Sequence, residues 1–331
     1  MWSLCYIADD LLILEQMKNR PSDGLIDELR SRLPRIEEQV YKKFDDEVNF
    51  IDIAVQQLDN ISCSAGSQSA RIQVKELHQS PYVTFDRPEY VPNTNPELGD
   101  LLYILNFFES GQVVERRASI AQAKFKKGKH GRRTDRVWKP DLHQFYLLDN
   151  LPDFEFVWKD ANESFSIEKE KKSLTTYIFA SNFLPPFFKT VDRSKWYIYD
   201  KESDPTIYTL PRKEPWEVNE YSNQLISMIR RQYGQAFESG GELQRMLRYM
   251  FEEQRDATFS SGRSENHLVD DSGDPITDGG RNEASGSPMK VIFIDIGLDT
   301  LAIDPDSPED VELDDPGNLY ALGREQLRTV E

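Results

Sequence analysis

ELGDLLYILNFFESGQVVERRASIAQAKFKKGKHGRRTDRVWK, residues 97–139, is the stretch whose reading decides the fold. An acidic step, Glu97 and Asp100, precedes the apolar run from Leu101 to Leu105. Ser110-Gly111 gives a turn signal, and a second apolar run, Ala118 to Phe125, carries Gln122 and Lys124. Two short β-rich runs about a glycine-containing connection predict an antiparallel hairpin. Folded symmetrically about Gly111–Gln112, it sets Asp100 opposite Lys124 and Leu102 opposite Gln122. Cross-strand partners share a face, as do residues two apart, so Asp100, Gln122 and Lys124 are expected to cluster on one side. A carboxylate, an amide and an ammonium then meet at the end of an otherwise apolar hairpin, beside solvent. The plain alternative is a surface hairpin whose Gln and Lys simply face water.

The pieces Gly99-Asp100 and Gln122-Ala123-Lys124 resemble the PD-(D/E)xK nuclease superfamily, in the variant where Gln replaces the second acid. The likeness runs over residues 72–160, through ELGDLL, QAK, Gln144-Phe145-Tyr146 and LPDFEF, with weaker echoes to residue 296. It implies an α/β protein with a mixed central β-sheet flanked by helices, a restriction-endonuclease-like core. It also implies hydrolysis of phosphodiester bonds in DNA, in restriction or anti-phage defence. Mg²⁺ (or Mn²⁺) is the implied cofactor, since a hard cation takes carboxylate, amide and carbonyl oxygens and keeps several waters. Asp100 and Gln122 are then the expected ligands, with Glu97 in reserve, and the Ala123 carbonyl can add an oxygen. Lys124 is expected to orient the attacking water or to offset phosphate charge. Members of the superfamily often borrow an acid from a preceding helix. Glu37, Glu38, Asp45 and Glu47 are the candidates, although a solvated helix face is the better account of them. Gln144 resembles the accessory glutamine that touches the site or a phosphate. A fold of this kind that has lost turnover and only binds nucleic acid or a protein is the competing reading.

Arg116, Arg117, Lys124, Lys126, Lys127, Lys129, Arg132, Arg133, Arg136 and Lys139 follow one another with Asp135 as the one acid among them. The rest of the chain is acidic, with a formal net charge of −18, which argues against a general nucleic-acid coat. A basic stretch abutting Gln122-Ala123-Lys124, with a flexible GKHGRR segment, is suited to a phosphate backbone. Lys126, Lys127, Lys129, Arg132 and Arg133, together with Gln144, are the expected nucleic-acid contacts. A solvated loop, or one paired with the chain's own acids, is the bland alternative. A homo-oligomer or an operon-encoded partner protein is compatible with either.

Around this centre, residues 1–60 read as helical. Segments are expected at 4–17 and from Ser22 to Leu33, followed by a long helix opened by Pro34 whose stripe is Ile36, Val40, Phe44, Val48, Ile51 and Val55. Asn60–Ala70 reads as a small-residue linker, and strands are expected at 71–77 and 82–85. Residues 61–258 form the core with appended strands between 175 and 208, and helices at 141–150, 214–233 and 241–256. Residues 259–288 lack large apolar side chains and read as disordered. MKVIFIDI, within 289–298, returns as a buried strand, and 299–331 is an acidic tail. Cys5 and Cys63 lack metal-ligand spacing and suggest no disulfide framework. Asp9 and Asp10 interrupt the apolar N-terminal stretch, and no apolar run approaches ~18 residues, so a cytoplasmic protein without a membrane span is expected.

Overall fold

The computed structural model describes residues 20–33, 41–77, 80–127, 138, 140–157, 163–167, 174–182, 186–190, 197–199, 206–208, 219–261 and 288–299. Helix α1 (Asp23–Arg32) starts at Ser22, whose hydroxyl accepts from the Leu25 N–H at 3.3 Å. A single 3-10 turn, Tyr41–Lys43, precedes α2 (Glu47–Gln56). The long helix expected from the apolar period is therefore broken within its described part. Asp46 caps a new helix by accepting from the Asn49 N–H at 2.8 Å, and Val48, expected in the buried stripe, is 46% exposed.

Strands β1 (Ile61–Ala65) and β2 (Gln68–Glu76) pair antiparallel about Gly66 at φ +62°. They occupy most of the segment expected to be a linker. Small residues are weak strand formers, but here the neighbouring strands and the buried Cys63, Ala70 and Ile72 override propensity. The chain continues through β3 (Val83–Phe85), β4 (Leu101–Glu109), β5 (Gln112–Lys126), α3 (Leu142–Asn150), β6 (Phe154–Phe156) and β7 (Ser164–Phe165). Beyond them come β8 (Thr175–Ser181), β9 (Phe187–Thr190), β10 (Tyr197–Tyr199), β11 (Thr206–Tyr208) and β12 (Asn219–Glu220). Last are α4 (Tyr221–Ile229), β13 (Gln235–Ala236), α5 (Glu242–Ser261) and β14 (Lys290–Gly297).

The main sheet runs β1-β2-β14-β4-β5-β8-β9-β12, with β13 also paired to β5. It is mixed: β14 lies parallel to β4 and β8 parallel to β5, and the other pairs are antiparallel. The apolar run of β14 is explained by its place between β2 and β4, where both faces are covered. One face packs against α1, α2 and α4 through Leu25, Phe50, Leu225 and Met228. The other packs against α3, α5 and the small β3-β6-β7 sheet through Phe145, Leu148, Met246 and Phe154. The protein is thus α/β, with a large mixed sheet flanked by helices. Among the described residues no helix is long and apolar enough to cross a membrane.

The expected hairpin is β4 with β5, in a register two residues from the symmetric one: Leu102 faces Ile120, not Gln122. The turn is Ser110-Gly111, both at positive φ, and a bulge beside Phe107/Phe108 shifts the pairing. A slip of two preserves which face each side chain occupies. Asp100, Gln122 and Lys124 therefore still share a side. Segments 4–17, 259–288 and 299–331 as read from the sequence lie wholly or largely outside the described residues, as do Glu37, Glu38, Lys129, Arg132 and Arg133.

Candidate active site

Asp100 stands at the entry of β4, Gln122 and Lys124 near the carboxyl end of β5. Gly99 lets this entry approach β5: a Cβ there would meet Ile120 Cγ2 at 2.7 Å and the Ala121 carbonyl at 3.1 Å. The Asp100 N–H then donates to the Ala121 carbonyl at 3.0 Å, and its own carbonyl accepts from the Lys290 N–H at 2.9 Å. The main chain of Asp100 is pinned on both sides, which fixes where its carboxylate points.

That carboxylate is buried, at 6% exposure, contrary to the solvated position expected for it. Its Oδ2 accepts from the Ala123 N–H at 2.6 Å and from Gln122 Nε2. Gln122 Oε1 in turn accepts from Nε2 of Gln144, which the first turn of α3 swings over the sheet. Gln122 thus presents an N–H to Asp100 here. A half-turn of the amide would bring Oε1 beside the carboxylate, which only a shared cation or a proton on Asp100 makes favourable.

Two helix starts converge on Lys124. Its ammonium lies 3.2 Å from Asp141 Oδ2 and 3.6 Å from Glu47 Oε1. Asp141 occupies the N-cap position of α3 but makes no side-chain cap bond. Its carboxylate turns to the lysine. Glu47 opens α2 from the opposite face of the sheet, and its Oε2 accepts from the Phe125 N–H at 3.3 Å. Of the two helix acids that lie among the described residues, Asp45 and Glu47, Glu47 is the one at the site. Asp45 instead makes an exposed contact of 3.7 Å with Lys127. Glu97, the reserve ligand, is engaged by the Tyr82 hydroxyl, whose pKa is pushed up to about 12 by burial and by that carboxylate.

The charges do not balance: Glu47, Asp100 and Asp141 surround one ammonium. Burial, and then the Glu47 charge, hold the Asp100 carboxyl well above the usual carboxylate range. Burial also raises Glu47 against the pull of Lys124. For Lys124, burial favours the neutral amine, but Glu47, Asp141 and Asp100 outweigh it and keep its pKa above the usual lysine value. Tyr177, the cross-strand neighbour of Gln122, stays protonated through burial and the same three carboxylates. Sequence reasoning missed Asp141 and Tyr177. An acid opening a helix looks like any N-cap, and Tyr177 reads as one more strand aromatic.

Carboxyls raised in the fold keep protons that the unfolded chain has released. Their contribution to stability therefore falls as pH rises from about 4 through the raised values. Lys124 stays charged throughout. As pH rises above the ordinary carboxylate range the wild type is expected to lose more stability than an Asp100→Asn variant, by urea denaturation. Parallel pH profiles for the two proteins would contradict this assignment of the strain.

Among the described residues no three His, Cys, Asp or Glu side chains are grouped to hold a metal ion. The pair Glu47 and Asp100 nevertheless suits Mg²⁺, which commonly takes one or two carboxylates and keeps the rest of its shell as water or phosphate oxygens. Comparisons of the chain with protein-family models, with curated proteins and with solved structures find no match.

Proposed function

We propose that the chain is a divalent-cation-dependent phosphodiesterase acting on DNA, with a restriction-endonuclease-like core around β4, β5 and α3. The observation that carries this reading is the gathering of a buried carboxyl, Asp100, the half-buried Glu47 and the exposed Asp141 about a single lysine. Two mutually repelling acids are costly to keep unless a cation joins them. Asp100 and Glu47 would hold the ion, with the Gln122 amide oxygen available after its half-turn. The ion's contribution is to acidify a bound water and to neutralise charge on the phosphate. Lys124 would then offset the charge that develops on the phosphoryl oxygens. Glu47 and Asp141 orient that ammonium, and Gln144, by turning its own amide, would keep its bond to Gln122 after the half-turn.

The test is cleavage of supercoiled plasmid and of single-stranded DNA in Mg²⁺, Mn²⁺ or EDTA. Products that require the cation support the proposal. Binding without cleavage under any divalent metal favours the competing reading, a non-catalytic nucleic-acid-binding component, which the full engagement of Lys124 by two carboxylates also suits.

The basic stretch after β5 is assigned to the phosphate backbone. Neutralising Lys126, Lys127, Arg132 and Arg133 together is expected to weaken DNA binding and to flatten its salt dependence, because fewer counterions are released. Affinity measured between 50 and 200 mM salt checks it. An unchanged slope would assign the stretch to another partner.

A further inference from the structure

One face of α3 delivers Gln144 to the site, and the same helix carries a half-exposed aromatic group beside it. Tyr146 stacks on Phe85, with ring centroids 6.0 Å apart and planes 10° from parallel. Tyr90 meets Tyr146 edge to face at 6.5 Å and is itself 52% exposed. The Arg87 guanidinium covers Phe85 at 4.7 Å and donates to the carbonyls of Pro92 (3.0 Å) and Thr94. It thereby braces the loop that presents Tyr90, which Pro88 and Pro92 stiffen further. The Val91 N–H closes the turn onto the Pro88 carbonyl at 2.9 Å. A single exposed tyrosine is ordinary. An exposed ring held on a braced loop, against a second ring, needs less ordering when a flat ligand lands on it.

Helix α3 links the group to the site: Asp141 at its N-cap lies 3.2 Å from the Lys124 ammonium, and Tyr146 follows on the same helix. His143, three residues before Tyr146 on α3, is within electrostatic range of Asp141, Lys124 and Arg87. The exposed acids Asp86 and Glu89 flank the loop, so its surroundings repel a phosphate backbone and leave the rings for an uncharged base.

We propose that Tyr90, backed by Tyr146, is a stacking platform for a nucleobase of a single-stranded segment whose phosphodiester lies at Lys124. This rests on the phosphodiesterase reading and narrows its substrate to strands with unpaired bases, since a base within a duplex is already stacked on both faces.

The experiment measures binding of the full chain, in EDTA, to a fluorescent oligothymidylate and to a duplex of equal length, by anisotropy. Wild type, Tyr90→Ala and Tyr90→Phe are compared. Tyr90→Ala is expected to weaken oligothymidylate binding roughly fivefold or more, with duplex binding and the salt slope unchanged. Tyr90→Phe is expected to match wild type, because the ring and not the hydroxyl makes the contact. If Tyr90→Ala binds the oligonucleotide as wild type does, the platform is overturned and the phosphodiesterase reading survives. If wild type binds neither nucleic acid, both fall.

Discussion

An Asp100→Asn variant is expected to lose cleavage by about 10²-fold or more while remaining as stable as wild type at neutral pH. The asparagine oxygen can take over both bonds that Oδ2 accepts, from the Ala123 N–H and from Gln122 Nε2. What disappears is a buried carboxyl whose proton affinity is raised by burial and then by the Glu47 charge. Stability therefore holds or rises, whereas a cation loses its main anionic ligand. Asp100→Ala is expected to lose the same activity and, in addition, about 1–3 kcal/mol of stability, because two buried donors are left without their acceptor. DNA binding is expected to survive both changes, since the basic stretch is untouched. Paired cleavage assays and urea denaturation curves for the two variants check this. An Asn variant that cleaves at the wild-type rate would remove Asp100 from the chemistry.

Lys124→Ala is expected to reduce cleavage by a similar factor, about 10² or more, for a different reason: the positive charge beside the phosphate is gone while the acids remain. This variant also destabilises. Glu47 and Asp100 lose the ammonium that offsets them. The cost is expected at about 1–3 kcal/mol, below that of a wholly buried pair, because Asp141 is largely exposed and solvent screens it. The loss should be greater at pH 8 than at pH 5, where the raised carboxyls take up protons and the repulsion subsides. Denaturation at the two pH values distinguishes this from simple loss of packing, which would cost the same at both.

The hairpin was legible because its signals are local: a turn pair, two β-rich runs and alternation of faces. Its register came out two residues away because the turn closes on Ser110-Gly111, pairing Glu109 with Gln112. The bulge near Phe107/Phe108 takes back one residue of a three-residue offset, and the even remainder keeps Asp100, Gln122 and Lys124 together. Where tertiary context overrides local preference, the pattern misled. Asn60–Ala70 looks like a linker because its residues are small, and it becomes strand because β14 and α1 cover it. The apolar period through Phe44 and Ile51 hides the helix start at Asp46, since a cap need not interrupt the spacing of buried residues.

The site was half legible for the same reason. Asp100, Gln122, Lys124 and Gln144 lie on consecutive elements, so spacing alone relates them. Glu47 reaches Lys124 only because α2 packs across the opposite face of the sheet, and no spacing encodes that approach. In the proposed nuclease reading, Glu47 supplies from elsewhere in the chain the acid that position 122 does not.

The pairing of Glu47 with Asp100 as a cation site is the central claim, and Mn²⁺ binding tests it most directly. Titration of the full chain at pH 8, followed by electron paramagnetic resonance of free Mn²⁺, should show a bound ion in wild type. Binding should be strongly weakened in both Glu47→Gln and Asp100→Asn, and largely kept in Tyr90→Ala. Mn²⁺ binding that is absent from wild type, or that neither acid substitution diminishes, would contradict the account.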